Sequence, residues 1–149
     1  MKRILAAIDF SDVTAAVVER AAESAKAFSA ELTLLHATAP DPEFVGYEPG
    51  PQTVRDSRAL EVRSEQKDLE DLAQSLSEQG IQAKGKLAMG PTVMTILEHA
   101  DALNADLIVL GSHGHGALYK ALVGSVTEGV IRKSSCPVLI VPASKDDDA

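Results

Sequence analysis

Apolar positions along the chain follow two rhythms. Five short runs are continuous or alternate with period two: Ile4-Leu5-Ala6-Ala7-Ile8, Leu32-Thr33-Leu34-Leu35-His36, Gln82 to Ala88, Leu107-Ile108-Val109-Leu110 and Val138-Leu139-Ile140-Val141. Runs of this length and composition predict strands. Between them apolar residues recur every three or four positions, the period of a helix with one buried face. Val17, Ala21, Ala25 and Phe28 place one helix over Val13 to Phe28. Val62, Leu69, Leu72, Ala73 and Leu76 form the stripe of a second, which stops at Gly80. Pro91 opens a third, at a position where its missing N–H costs nothing, with Val93, Ile96, Leu97, Ala100 and Leu103 inward. A fourth runs from Ser125 to Lys133, and Pro137 starts the last strand.

Strands alternating with helices imply right-handed crossovers and a parallel sheet covered on both faces. The first and fourth runs are apolar throughout, as central strands buried on both sides must be. The third carries Lys84 and Lys86 and reads as an edge. The chain therefore moves outward from strand one to strand three, and strand four returns beside strand one. The expected fold is a single-domain, three-layer α/β/α sandwich with a five-stranded parallel sheet in the order 3-2-1-4-5. In such a sheet ligands bind at the carboxyl ends of the strands where the winding reverses. Two segments meet there: Asp9-Phe10-Ser11-Asp12 and Gly111-Ser112-His113-Gly114. The stretch Ala39 to Thr53, with four prolines, emerges on the same side as a long loop; it is a flexible insertion or a lid.

Composition narrows the partners. At 149 residues the chain suits one domain; with aromatics at 3% and no Trp, its core must be aliphatic. A formal net charge of −8 disfavours nucleic acid and anionic membrane as partners, and any anionic ligand would need local donors to overcome that field. Residues 1–142 are expected to form the domain, and 143–149, with Asp146, Asp147 and Asp148, a frayed acidic tail. Cys136 stands alone, so no intrachain disulfide forms, and the first apolar run is too short for a leader core or a membrane span. A cytoplasmic protein is expected.

Gly111-Ser112-His113-Gly114-His115-Gly116 follows strand four directly, and Gly124-Ser125-Val126-Thr127-Glu128 opens the fourth helix. Glycines let a phosphate approach main-chain amides closely, and a helix N-terminus offers free N–H donors at its positive end. Together they can clamp a polyphosphate on backbone groups alone. The plainer alternatives are a tight turn at the glycines and a capping box with Ser125 as N-cap and Glu128 three residues on. Neither a P-loop nor G-x-G-x-x-G is present.

Gly111-x2-Gly114-x9-Gly124-Ser125, continued by Val126 and closed by Cys136-Pro137-Val138-Leu139-Ile140-Val141, resembles the ATP-binding signature of the universal stress protein family. Ile4 to Asp12 and Ala105 to Gly111 are similar to that family's first and fourth strands, and the resemblance is weakest from Ala39 to Glu61. It implies an adenine nucleotide alpha hydrolase-like fold. It also implies roles: Asp9 on the ribose or a nearby metal, Ala37 on adenine through its backbone, and Gly111, Gly114, Gly124 and Ser125 on phosphates and ribose with Val126 alongside. ATP, with Mg or Mn, is the implied cofactor. His113 and His115 depart from the basic residues common in relatives, which weakens phosphate attraction and makes it pH-sensitive.

No catalytic residue and no dedicated metal site is assigned: His113 and His115 lack a third ligand nearby. His36 and His99 read as structural, Cys136 as a buried thiol, and Asp12 as helix-start charge. Asp9 is a ligand contact or a strand-end cap. Strand five is apolar yet lies at an edge, which invites pairing with its own copy in a twofold dimer through Val138, Leu139, Ile140 and Val141; the resemblance implies the same, and cover by a loop or the tail is the alternative. The expected function is an ATP-binding regulatory homodimer of the stress response, with an unidentified protein partner and at most slow hydrolysis. The alternatives are a nucleotide hydrolase or phosphotransferase using Asp9 and magnesium, and a ligand-free interaction module.

Overall fold

The computed structural model describes residues 1–38, 52–113 and 123–142, with backbone alone at 52–56. Nine elements follow one another: β1 (Arg3–Ala7), α1 (Thr14–Phe28), β2 (Glu31–Thr38), α2 (Gln52–Glu78), β3 (Ala83–Met89), α3 (Thr92–Leu103), β4 (Leu107–Gly111), α4 (Ser125–Lys133) and β5 (Val138–Val141). All pairings between the strands are parallel, in the order β3-β2-β1-β4-β5. This is the expected three-layer sandwich.

Period-two alternation in the central strands divides the core. Ile4 and Ala6 of β1, Leu32 and Leu34 of β2, and Val109 of β4 face α1 and α2 and join Val17, Ala21, Ala25, Leu69 and Leu76. Leu5, Leu35, Ile108 and Leu110 face the other way, against Ile96, Ala100 and Val130 of α3 and α4. Because β1 is flanked by β2 and β4 and covered on both faces, Leu5 and Ala6 are fully buried. The twenty-odd buried aliphatic side chains do what aromatics do in other cores, at roughly 25 cal/mol for each Å² removed from water.

Element ends follow local rules with some corrections. α1 and α3 both end on a left-handed residue, Ser29 (φ 53°) and Asn104 (φ 52°), which returns N–H groups to the last carbonyls. α2 starts at Gln52 and takes in the last two residues assigned to the long loop; the rest of that loop, residues 39–51, lies outside the described residues. Pro91 sits just outside α3, in extended backbone. Asp12 lies one residue before the Val13 cap of α1, exposed at the helix start. The tail 143–149 is likewise outside the description. Among the described residues no helix is long and apolar enough to cross a membrane.

Candidate functional site

The carboxyl ends of β1 and β4 meet where the winding reverses. Ile4 lies beside Leu107 and Ala6 beside Val109, so the two strands deliver their following turns to one place. Contact between the turns is close. A Cβ on Gly111 would stand 2.5 Å from Val13 Cγ1 and 3.1 Å from the His113 carbonyl oxygen. Gly111 is thus needed for the approach of β4 to the β1–α1 turn, whatever else it contacts.

Within that turn Asp9 Oδ1 accepts the Ser11 amide at 2.9 Å and lies 3.5 Å from the Thr14 hydroxyl. The carboxylate therefore braces the turn, the role of a strand-end cap, while standing at the crevice. Phe10, between Asp9 and Ser11, has φ 58°. A bulky residue in the left-handed region is strained, and such strain persists only where surrounding contacts impose it. Ser11 Oγ is shielded from water and makes no hydrogen bond to the described residues.

On the β4 side, the Gly124 amide donates to the Ser112 carbonyl at 2.8 Å, and Ser112 N donates to Val141 O at 2.8 Å. Thr127, buried at 4% exposure, donates its hydroxyl to the Gly111 carbonyl at 2.7 Å. The start of α4 is thereby fastened to the end of β4, which brings Gly111, Gly124, Ser125 and Val126 together. The N-cap is Gly124, in extended backbone with no side-chain cap, so the capping-box reading of Ser125 fails. Ser125 is exposed in the first helical position, and Val126 packs toward the α3 side of the core. The first helical bond runs from Glu128 N to Gly124 O, which leaves the amides of Ser125, Val126 and Thr127 without intrahelical acceptors. A Cβ on Gly124 would come 3.3 Å from His113 Cα, so that corner is tight as well. Gly114 and His115 lie outside the described residues; His113 Nδ1 is 3.1 Å from Ser112 Oγ.

Ala37 is inside β2, paired with Ala88, rather than after the strand. Its neighbours face α2. His36 Nδ1 bonds the Ile8 carbonyl at 2.8 Å, its Nε2 is 3.4 Å from Glu65 Oε2, and Arg58 donates to the Thr38 hydroxyl. These links from α2 to the rim were not singled out from the sequence, because Arg58 and Glu65 sit in a strongly charged helix with no motif to mark them. His99 is structural, bonding Thr95 O within α3. Cys136 is half-buried rather than buried, and the Ser134 hydroxyl donates to its carbonyl. Among the described residues no three His, Cys, Asp or Glu side chains cluster as metal ligands. A separate groove of about 380 Å³ between α1 and α2 joins an apolar floor (Val18, Ala22, Leu72) to Glu19, Glu23 and Lys26, away from the carboxyl ends of β1 and β4.

Comparison with known proteins points one way. The family model described as the universal stress protein family matches residues 1–142. The universal stress protein YxiE of Bacillus subtilis is 37% identical over 144 residues, covering 93% of this chain and 97% of that one. The solved structure of the protein MJ0577 of Methanocaldococcus jannaschii superposes with a TM-score of 0.74 at 30% identity, covering 94% of each chain. A universal stress protein crystallised in complex with cAMP superposes with a TM-score of 0.66 at 26% identity, covering 96% of this chain and 98% of that one.

Proposed function

The chain belongs to the universal stress protein family, and from that premise we propose that it binds an adenine nucleotide, ATP with Mg²⁺ or Mn²⁺, in the crevice between the β1–α1 turn and the β4–α4 junction. The observation that carries this reading is the junction itself. Gly111 lets β4 close on the β1–α1 turn, Gly124 lets the start of α4 close on Ser112 and His113, and the amides of Ser125, Val126 and Thr127 at that junction have no helical acceptors. Such a cradle suits an anion, and it works on an acidic protein because the donors are main-chain groups. A solved relative that binds cAMP supports the adenine ring as part of the ligand.

The residues fit the group. Gly111, Gly124 and Ser125, with Gly114, would hold phosphates and ribose, Val126 would lie alongside, and the backbone at Ala37 would meet adenine. Asp9 supplies a carboxylate of the kind Mg²⁺ takes along with phosphate oxygens. The metal, when bound, would neutralise phosphate charge. Nothing among the described residues serves as an arginine finger or a P-loop lysine, so hydrolysis at most slow is the expectation. We read the protein as a regulatory one, acting as a homodimer through β5 in a cytoplasmic stress response with an unidentified protein partner. Leu139, 39% exposed on the edge strand, and Ile131, 49% exposed on α4, support the dimer.

Calorimetric titration with Mg-ATP tests the nucleotide reading. We expect saturable binding to one site per chain, competed by AMP or cAMP, and weakened at least about tenfold in Gly124→Val, which fills the corner and loses contacts worth ~1.4 kcal/mol or more. Absence of heat and of any melting shift at millimolar Mg-ATP sinks it.

A further inference from the structure

We propose that His36 and Glu65 form a strut that positions the amino-terminal half of α2 at the rim of the nucleotide crevice; this deepens the nucleotide-binding reading above and, for its effect on ligand, rests on it.

Side chains at 36 and 38 point to the same face of β2, the face α2 covers, with Ala37 between them. Arg58 and Glu65 are seven residues apart, two helical turns, and so share one face of α2. Arg58 holds Thr38 and Glu65 meets His36, which gives two grips across the last three residues of β2. Those are the residues whose backbone lines the proposed adenine side.

The His36 end of this arrangement is nine-tenths buried, with 10% of its side chain exposed. A carbonyl only accepts, so the 2.8 Å contact with Ile8 O places a proton on Nδ1. That leaves Nε2 facing Glu65 Oε2 at 3.4 Å. The separation is that of an ion pair, yet the alignment is not that of a hydrogen bond, and Glu65 Oε2 is shielded from water with no other hydrogen-bond partner among the described residues. Nε2 is the polar atom set against that shielded oxygen, so the contact couples the imidazole to α2.

The remaining neighbours do not replace it. The edge of the Phe10 ring closes one side, with ring centroids 4.9 Å apart and planes at 66°. β3 presents Leu87 at the position paired with His36. Arg58 is engaged by Thr38 and by Glu61 at 3.0 Å, and Asp9 by the Ser11 amide. The strut thus ties the end of β1, the strained turn at Phe10 and α2 through one imidazole.

The test is hydrogen exchange of the ligand-free full chain, followed by mass spectrometry of peptides spanning 57–68, in wild type, Glu65→Ala and Glu65→Gln. Glu65→Ala should lower α2 protection about tenfold, the scale for orphaning one buried partner, and leave α3 and β4 unchanged. Glu65→Gln, whose amide donates to Nε2, should stay within about twofold of wild type. Unchanged α2 protection in Glu65→Ala, equal losses in both variants, or loosening of every element alike each overturns the strut. Mg-ATP titration then reads the effect on ligand: weaker binding in Glu65→Ala with recovery in Glu65→Gln supports positioning, and equal binding in all three overturns it. A wild type that binds no nucleotide overturns the reading of function instead, and the exchange data still decide the strut.

Discussion

Gly111 has a packing role that its place in the proposed site does not reveal. Its spacing to Gly124 marks it in the sequence, and only the fold reveals that Val13 fills the space its side chain would need. Val13 is buried and β-branched, so it has little freedom to yield. Gly111→Ala should therefore cost about 1–3 kcal/mol, read as a lower urea midpoint at unchanged slope. Adding Val13→Ala should restore part of that loss, and an additive double variant would show that the contact is not the cause. His36 is different. A histidine inside an apolar run reads as structural, which its burial confirms, but Glu65 is too distant in sequence to be recognised as its neighbour. The pairing is made by a helix laid across a strand. Asp9 keeps both meanings: its carboxylate braces the turn through the Ser11 amide, and it also stands at the crevice.

At the scale of elements, apolar period placed every strand and helix, and ends moved by local chemistry. The turn after α1 forces Ser29 to φ 53°, a conformation glycine adopts without strain. Ser29→Gly should raise stability by about 0.5–1 kcal/mol, less than the full left-handed penalty because glycine also loosens the unfolded chain; thermal melting checks the sign. Where β4 begins, Asp106 accepts the amides of Lys2 and Arg3 at 2.7 and 3.0 Å, which ties it to the start of β1. Those two bonds, Lys2 first, hold its carboxyl below the ordinary range. A lowered value favours the ionised carboxylate in the folded state. Its contribution is complete above the ordinary carboxyl range and disappears as pH falls through the lowered value. Asp106→Asn should flatten that part of the acid limb in melting curves taken from about pH 6 down to pH 2. Equal acid sensitivity in both proteins would assign the limb to other groups. α4 starts at Ser125 as its pattern predicts, and the alternative capping box fails because Gly124 takes the cap and Ser125 is the first helical residue.

For the whole molecule, the proposed nucleotide binding and dimerisation are measurable as stability and mass. A ligand that binds only the folded chain stabilises it by about 2.7 kcal/mol at a hundred times Kd, so Mg-ATP should raise the melting temperature by several degrees. Leu139→Lys places a charge on the exposed edge of β5, and on the proposed dimer sedimentation should show a dimeric wild type and a monomeric variant. If both sediment as monomers, the edge is not an interface; if both sediment as dimers, the interface lies elsewhere.

The order of the strands, the two-sided core and the meeting of the β1–α1 turn with the end of β4 were all decided by the sequence. Each follows from the period of apolar residues and the handedness of crossovers, which act along the chain or between consecutive elements. What the tertiary structure alone decided is contact between residues far apart in the chain. It set Val13 against Gly111, Thr127 on the Gly111 carbonyl, and Glu65 beside His36. Such contacts depend on how whole elements cross, and a crossing is fixed by the packing of many side chains at once, so no local pattern records it.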